Sequence, residues 1–153
     1  IAEALQLRPS QRLFFSAFRY GKMVNLDTFE IKGMHEMSHN NVLLVSGIGC
    51  PRQMQLDINK RFASVKSMNF HAHHYYDAQD IENIRKTFLQ LPEPRIIITT
   101  EKDATKLLSL PFRNHKDMKN FWVLPIGIRI LQDKENMFND KITGYVQKNL
   151  RNR

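Results

Sequence analysis

At 153 residues the chain is one domain, or one domain with an appendage, and is long enough to bury a proper core. Its formal net charge of +8 favours an anionic partner, whether nucleic acid, nucleotide, phospholipid headgroup or acidic protein, without choosing among them. The single cysteine, Cys50, excludes an internal disulfide and fits a reducing compartment, and no apolar run approaches the length of a membrane span. An initiator Met is normally removed only before a small residue, so a chain that opens on Ile1 is expected to be a fragment of a longer one.

Taken in order, residues 12–19 (RLFFSAFR) read as a strand rich in aromatics, and Tyr20-Gly21-Lys22 turns the chain. Residues 25–41 are polar, without a clean period, and read as a linker with room for a short helix. Val42-Leu43-Leu44-Val45 is a continuous apolar run of the kind buried on both faces of a parallel sheet. It ends in Ser46-Gly47-Ile48-Gly49-Cys50-Pro51, after which residues 53–62 are helical, with Met54, Ile58 and Phe62 on one stripe. The unit repeats as a strand near 65–70, a histidine-rich turn and a helix from about Asp77 to Leu91, whose Ile81, Ile84, Phe88 and Leu89 keep helical spacing. A third strand spans 95–99, a short helix opens at Thr100 and reaches Leu107 or Leu108, and a fourth strand covers 121–124. Residues 134–153 form an amphipathic basic helix, with Phe138, Ile142, Tyr145 and Val146 on one face and Lys141, Lys148, Arg151 and Arg153 elsewhere.

Strands alternating with helices predict an α/β fold: a small parallel-sheet Rossmann-like domain with flanking helices and right-handed crossovers. The runs Leu13-Phe14-Phe15 and Val123-Leu124-Pro125-Ile126 are expected to pair as a short two-stranded β connection beside it.

Three strand-to-helix turns carry the candidate chemistry, because ligands in such folds lie at the carboxyl ends of the strands. Gly47-Ile48-Gly49 is half a dinucleotide fingerprint, since Arg52 stands where the third glycine belongs. Its glycines serve either positive φ in a tight turn or the close approach of a ligand or second domain. The stretch from Phe70 to Tyr76 holds three of the six histidines, His71, His73 and His74. No second Cys or His cluster at metal spacing accompanies them, so no metal site is assigned. Surface or capping side chains and a general base both remain, and a base needs a carboxylate to orient it. In Thr99-Thr100-Glu101-Lys102-Asp103, Thr100 reads as an N-cap with Asp103 closing a short capping box; Glu101 and Lys102 are left without a structural task.

The order of these three turns, ending in the specific run TTEKDATKL at residues 99–107 with Asp80 between, resembles the carboxyl-terminal half of the tetraacyldisaccharide 4'-kinase family, from about Gln11 to Tyr145. That resemblance implies phosphoryl transfer from ATP, with magnesium, to the 4' hydroxyl of a tetraacyldisaccharide 1-phosphate in lipid A synthesis. It implies a division into 1–41 (end of an amino-terminal P-loop lobe, and linker), 42–133 (carboxyl-terminal α/β lobe) and 134–153 (terminal basic helix). His73, with His74 as the other candidate, would be catalytic; Gly47, Gly49, Tyr76, Thr100, Glu101, Lys102 and Asp103 would lie near nucleotide or substrate. The P-loop, the magnesium ligands and a catalytic aspartate would belong to the amino-terminal half, since Gly21-Lys22-Met23 is no P-loop. The fragment alone would be soluble and inactive, and the whole enzyme would work at the cytoplasmic face of the bacterial inner membrane on an anionic disaccharide lipid, with no nucleic-acid partner. Two departures stand out: Ala72 occupies the place of a family Asp, and Cys50 that of a common Asn. A basic nucleic-acid-binding α/β module and a Rossmann-like nucleotide-binding enzyme are the alternatives from composition and from the glycine turn.

Overall fold

A computed structural model of the chain describes residues 3–110 and 118–150. The elements are β1 (Ser16–Tyr20), β2 (Met23–Asn25), β3 (Ile31–Lys32), β4 (Asn41–Ser46), α1 (Pro51–Asn59), β5 (Ser64–Asn69), α2 (Ala78–Leu89), β6 (Arg95–Thr100), α3 (Glu101–Leu108), β7 (Phe121–Leu124), β8 (Ile126–Ile130) and α4 (Glu135–Leu150). They fall into two compact units, one running from Tyr20 to Ile126 and the other joining the chain up to Arg19 with the chain from Gly127.

The first unit is built on a six-stranded sheet of order β3-β2-β7-β6-β4-β5. β7, β6, β4 and β5 run parallel, and β2 pairs antiparallel with both β7 and β3. This is the α/β class expected from the alternation of strands and helices. Val42 to Val45 are wholly buried, as is Ile98, because helices cover both faces of the central strands. Each such aliphatic side chain contributes about 1.5–3 kcal/mol on leaving water. Leu43, Val45 and Ile97 share one cluster with Ile84 and Phe88 of α2 and Leu107 of α3, so α2 and α3 lie on one face. The chain moves from β4 outward to β5, then back across β4 to β6. Right-handed crossovers then put α1 on the opposite face and the topological switch between β4 and β6, at whose carboxyl ends a crevice opens.

Three expectations need correction. Residues 25–41 are not simply a linker, and the sheet begins before residue 42: β2 and β3 form its antiparallel edge, and only Met34–Met37 is a short 3-10 turn. Strands of two or three residues are too short for alternation to register, and what closes them is the buried Asn25. Its Oδ1 accepts from the Asp27 and Thr28 N–H groups, both at 2.9 Å, and its Nδ2 donates to the Lys119 carbonyl at 2.8 Å. Second, Val123 and Leu124 belong to β7 inside the main sheet, not to the two-stranded connection. Pro125, which has no N–H to give a ladder, separates β7 from β8, and it is β8 that pairs with β1. Third, the amino-terminal strand is displaced from 12–19 to Ser16–Tyr20.

In the second unit, β1 and β8 form the two-stranded ribbon, extended by the Leu131 N–H donating to the Phe15 carbonyl at 2.8 Å. Phe138 of α4 packs edge-on against Phe14 with ring centroids 5.3 Å apart. The rest of the predicted apolar stripe, Ile142, Tyr145 and Val146, is exposed. Arg151 and Arg153 lie outside the described residues.

Candidate functional site

Three turns converge at the carboxyl edge of β4, β5 and β6. The first is fixed by a residue far away in sequence. Asp103, on the first turn of α3, is completely buried, and its Oδ2 accepts from the Gly47 N–H at 2.9 Å and from the Thr100 hydroxyl at 2.7 Å. Thr100 Oγ1 in turn accepts from the Asp103 N–H at 3.2 Å and so caps the helix, as its sequence position predicts. A Cβ on residue 47 would stand 2.9 Å from Asp103 Oδ1. Glycine is therefore needed at 47 for close approach, and neither glycine of this turn has positive φ. At Gly49 nothing lies within 4 Å of where a Cβ would be, so the described chain itself gives no reason for a glycine there.

The histidine loop is the second turn. His74 is held from several sides: Nε2 lies 2.6 Å from Asp80 Oδ2, Nδ1 lies 3.3 Å from His71 Nε2, and the ring stacks on Phe70 with centroids 4.7 Å apart. Its carbonyl accepts from Lys106 Nζ at 2.7 Å. Asp80 does two jobs, since the same Oδ2 accepts from the Asp77 N–H while the Asp80 N–H donates to Asp77 Oδ1, closing a capping box at the start of α2. His73 is different. It is exposed, its φ is +65°, and among the described residues its side chain has no hydrogen-bond or ionic partner. A left-handed conformation in a residue other than glycine costs about 1–2 kcal/mol, and such strain collects where function requires a particular presentation.

Tyr76, nearly buried, ends the loop beside Asp103. Burial, and next the Asp103 carboxylate, push its phenol well above the ordinary tyrosine value. The two groups are close without hydrogen-bond geometry: among the described residues, Tyr76 Oη and Asp103 Oδ1 are both buried without a partner, as are Ser46 Oγ and Thr99 Oγ1. The third turn places Glu101 and Lys102 on the exposed first turn of α3, their side chains unpartnered among the described residues. The site thus gathers Gly47, Thr100, Asp103 and Tyr76 into one buried junction and His71, His74 and Asp80 into one chain of contacts. Gly49, His73, Glu101 and Lys102 stand at its open surface.

Residues 4–146 match the sequence profile of the family described as LpxK, tetraacyldisaccharide-1-P 4'-kinase. The chain belongs to this family. Among relatives, a tetraacyldisaccharide 4'-kinase of Phocaeicola vulgatus is 37% identical, over 99% of this chain and 42% of that protein. Another from Bacteroides thetaiotaomicron is 34% identical, over 99% of this chain and 43% of its own length. The chain therefore spans less than half the length of these relatives. The crystal structure of "apo" form LpxK from Aquifex aeolicus in complex with ATP aligns over 86% of this chain and 36% of that one, at 20% identity and a TM-score of 0.48, a likeness too low to argue from.

Beside the histidines a carboxylate comes from Asp80 and goes to His74. Asp80, four residues after Tyr76, is part of the family resemblance, but its spacing does not tell which histidine it will meet. Lys106 was legible only as part of the family run, since a lysine on a helix says nothing of the carbonyl it will reach.

Proposed function

We propose that this chain is the carboxyl-terminal part of an ATP-dependent kinase that phosphorylates the 4' hydroxyl of a tetraacyldisaccharide 1-phosphate, a lipid A precursor. One observation carries the reading beyond family membership: a loop locked by His74 presents His73, unpartnered and left-handed, at the carboxyl edge. Both ring nitrogens of His74 are already engaged, one by Asp80 and one by His71. His74 therefore positions the loop, whereas the His73 imidazole is free to take the proton of an incoming hydroxyl once an aspartate from the part of the enzyme outside this chain orients it. Positioning of this kind accounts for much of the catalysis of phosphoryl transfer.

Among the described residues no group of three or more His, Cys, Asp or Glu is arranged to hold a metal ion. ATP and magnesium are assigned to the part of the enzyme outside this chain, as is the P-loop. Gly49, Glu101 and Lys102 would face nucleotide or substrate when the two lobes close. The charge of +8 supports an anionic substrate and a working position at the cytoplasmic face of the inner membrane, with no nucleic acid required. No helix among the described residues is long and apolar enough to cross a membrane.

The test is a phosphorylation assay on tetraacyldisaccharide 1-phosphate with the full-length enzyme and with this chain alone. Turnover is expected only from the former. Turnover by the isolated chain would contradict the assignment of the nucleotide site to the other lobe.

A further inference from the structure

Within the unit that carries the six-stranded sheet, away from the histidine loop, lies a cavity of about 530 Å3 whose wall includes Tyr20, Lys22, Gly33, His35, Ser38 and Arg61. Three of these side chains are basic, and no carboxylate lines the cavity. Arg61 is held in place: Nη1 donates to the Asp57 carbonyl at 2.5 Å, and the guanidinium carbon sits 5.6 Å over the Tyr20 ring. His35 is held as well, its imidazole folded onto Gly33, where a Cβ would stand 2.7 Å from the ring. The Lys22 and His35 side chains have no hydrogen-bond or ionic partner among the described residues. The two nearby carboxylates each accept from a group of the wall. Asp57 accepts from the Tyr20 hydroxyl at 2.9 Å and from Gln53 Nε2 at 3.0 Å, and Glu36 Oε1 accepts from the Gly33 N–H.

We propose that this cavity binds a phosphomonoester group, either free in solution as part of a small molecule or as the headgroup of a lipid. A guanidinium stacked on an aromatic ring loses little further freedom on binding and offers its remaining N–H groups as a fork matched to phosphate oxygens. Lys22 adds a compact charge, and the Ser38 hydroxyl a neutral donor. Gly21-Lys22-Met23 fails as a P-loop, yet its lysine still reaches a cavity suited to an anion. The site shares no residue with the histidine loop, so it stands independently of the kinase reading.

The test is a titration of the 15N-labelled chain with inorganic phosphate at constant ionic strength, chloride making up the difference. Saturable shifts are expected at the amides of Lys22, Gly33, Ser38 and Arg61. Lys22→Ala and Arg61→Gln should each weaken binding about tenfold, as loss of one charge-assisted contact does, with the rest of the spectrum unchanged because both side chains are exposed. Flotation with phosphatidic acid vesicles against phosphatidylcholine vesicles separates the two sources. Capture that the two substitutions abolish assigns a lipid headgroup, whereas phosphate binding without capture assigns a soluble ester. Shifts that follow ionic strength without saturating, or that centre on α4 and ignore both substitutions, would overturn the proposal.

Discussion

Gly47 and Asp103, fifty-six positions apart, make a single contact that fixes where β4 hands over to α1. Gly47→Ala would drive a Cβ against the buried carboxylate, and thermal or denaturant unfolding should show a loss of about 1–3 kcal/mol, the usual cost of overpacking. Asp103→Ala should cost at least as much, on the order of 2–4 kcal/mol, because it leaves the Gly47 N–H and the Thr100 hydroxyl buried without an acceptor. If both variants unfold like the parent, the junction is not the anchor described. The N-cap at Thr100 was legible in the sequence because it is local; the partners of the Asp103 carboxylate were not, since it accepts from the Thr100 hydroxyl and the distant Gly47 N–H where a closed capping box was expected. Tyr76 supplies a pH-dependent readout. Burial and the neighbouring carboxylate raise its folded-state pKa above the 10.0 of the unfolded chain, so its stabilising contribution is complete below that pH and declines as pH rises past it. Across that alkaline range the parent should lose up to about 1.4 kcal/mol per pH unit through this group, and Tyr76→Phe should remove that part of the slope while leaving the similar contribution of Tyr20.

At the scale of elements, Asp80 ties the start of α2 to the histidine loop. Asp80→Ala removes both the N3 partner of the capping box and the carboxylate on His74, and should lower stability by about 1–2 kcal/mol, a fall of roughly 2–8 °C in Tm. His74 should lose its fixed ring position in the same variant, visible as averaging of its imidazole NMR signals; a ring that stays fixed would mean that Phe70 and His71 suffice to hold it. Strands β4, β6 and β7 could be read directly, because a strand buried on both faces writes a continuous apolar run. β2 and β3 could not: their edge pairing depends on the buried side chain of Asn25, a polar residue that in sequence looks like linker. The displacement of the ribbon from Val123 to Ile126 has an equally physical origin. Periodicity alone does not show whether a proline interrupts one strand or separates two, and here Pro125 separates strands of different sheets.

At the scale of the molecule, the chain covers 42% of the Phocaeicola vulgatus relative. The carboxyl-edge location of the site was legible from the alternation of strands and helices, and the exchange of partners within the loop was not. The spacing of His71, His73 and His74 leaves open which imidazole Asp80 will hold, because that depends on the left-handed turn at His73. The most direct test of the account is the turnover number of the full-length enzyme carrying His73→Ala, measured beside His74→Ala at saturating ATP. The account predicts that His73→Ala lowers kcat about 10²- to 10⁴-fold with little change in the KM for ATP, while His74→Ala loses less activity and shows a lower Tm. Wild-type turnover in His73→Ala together with abolished turnover in His74→Ala would contradict it and transfer the proton-accepting role to the histidine that Asp80 holds.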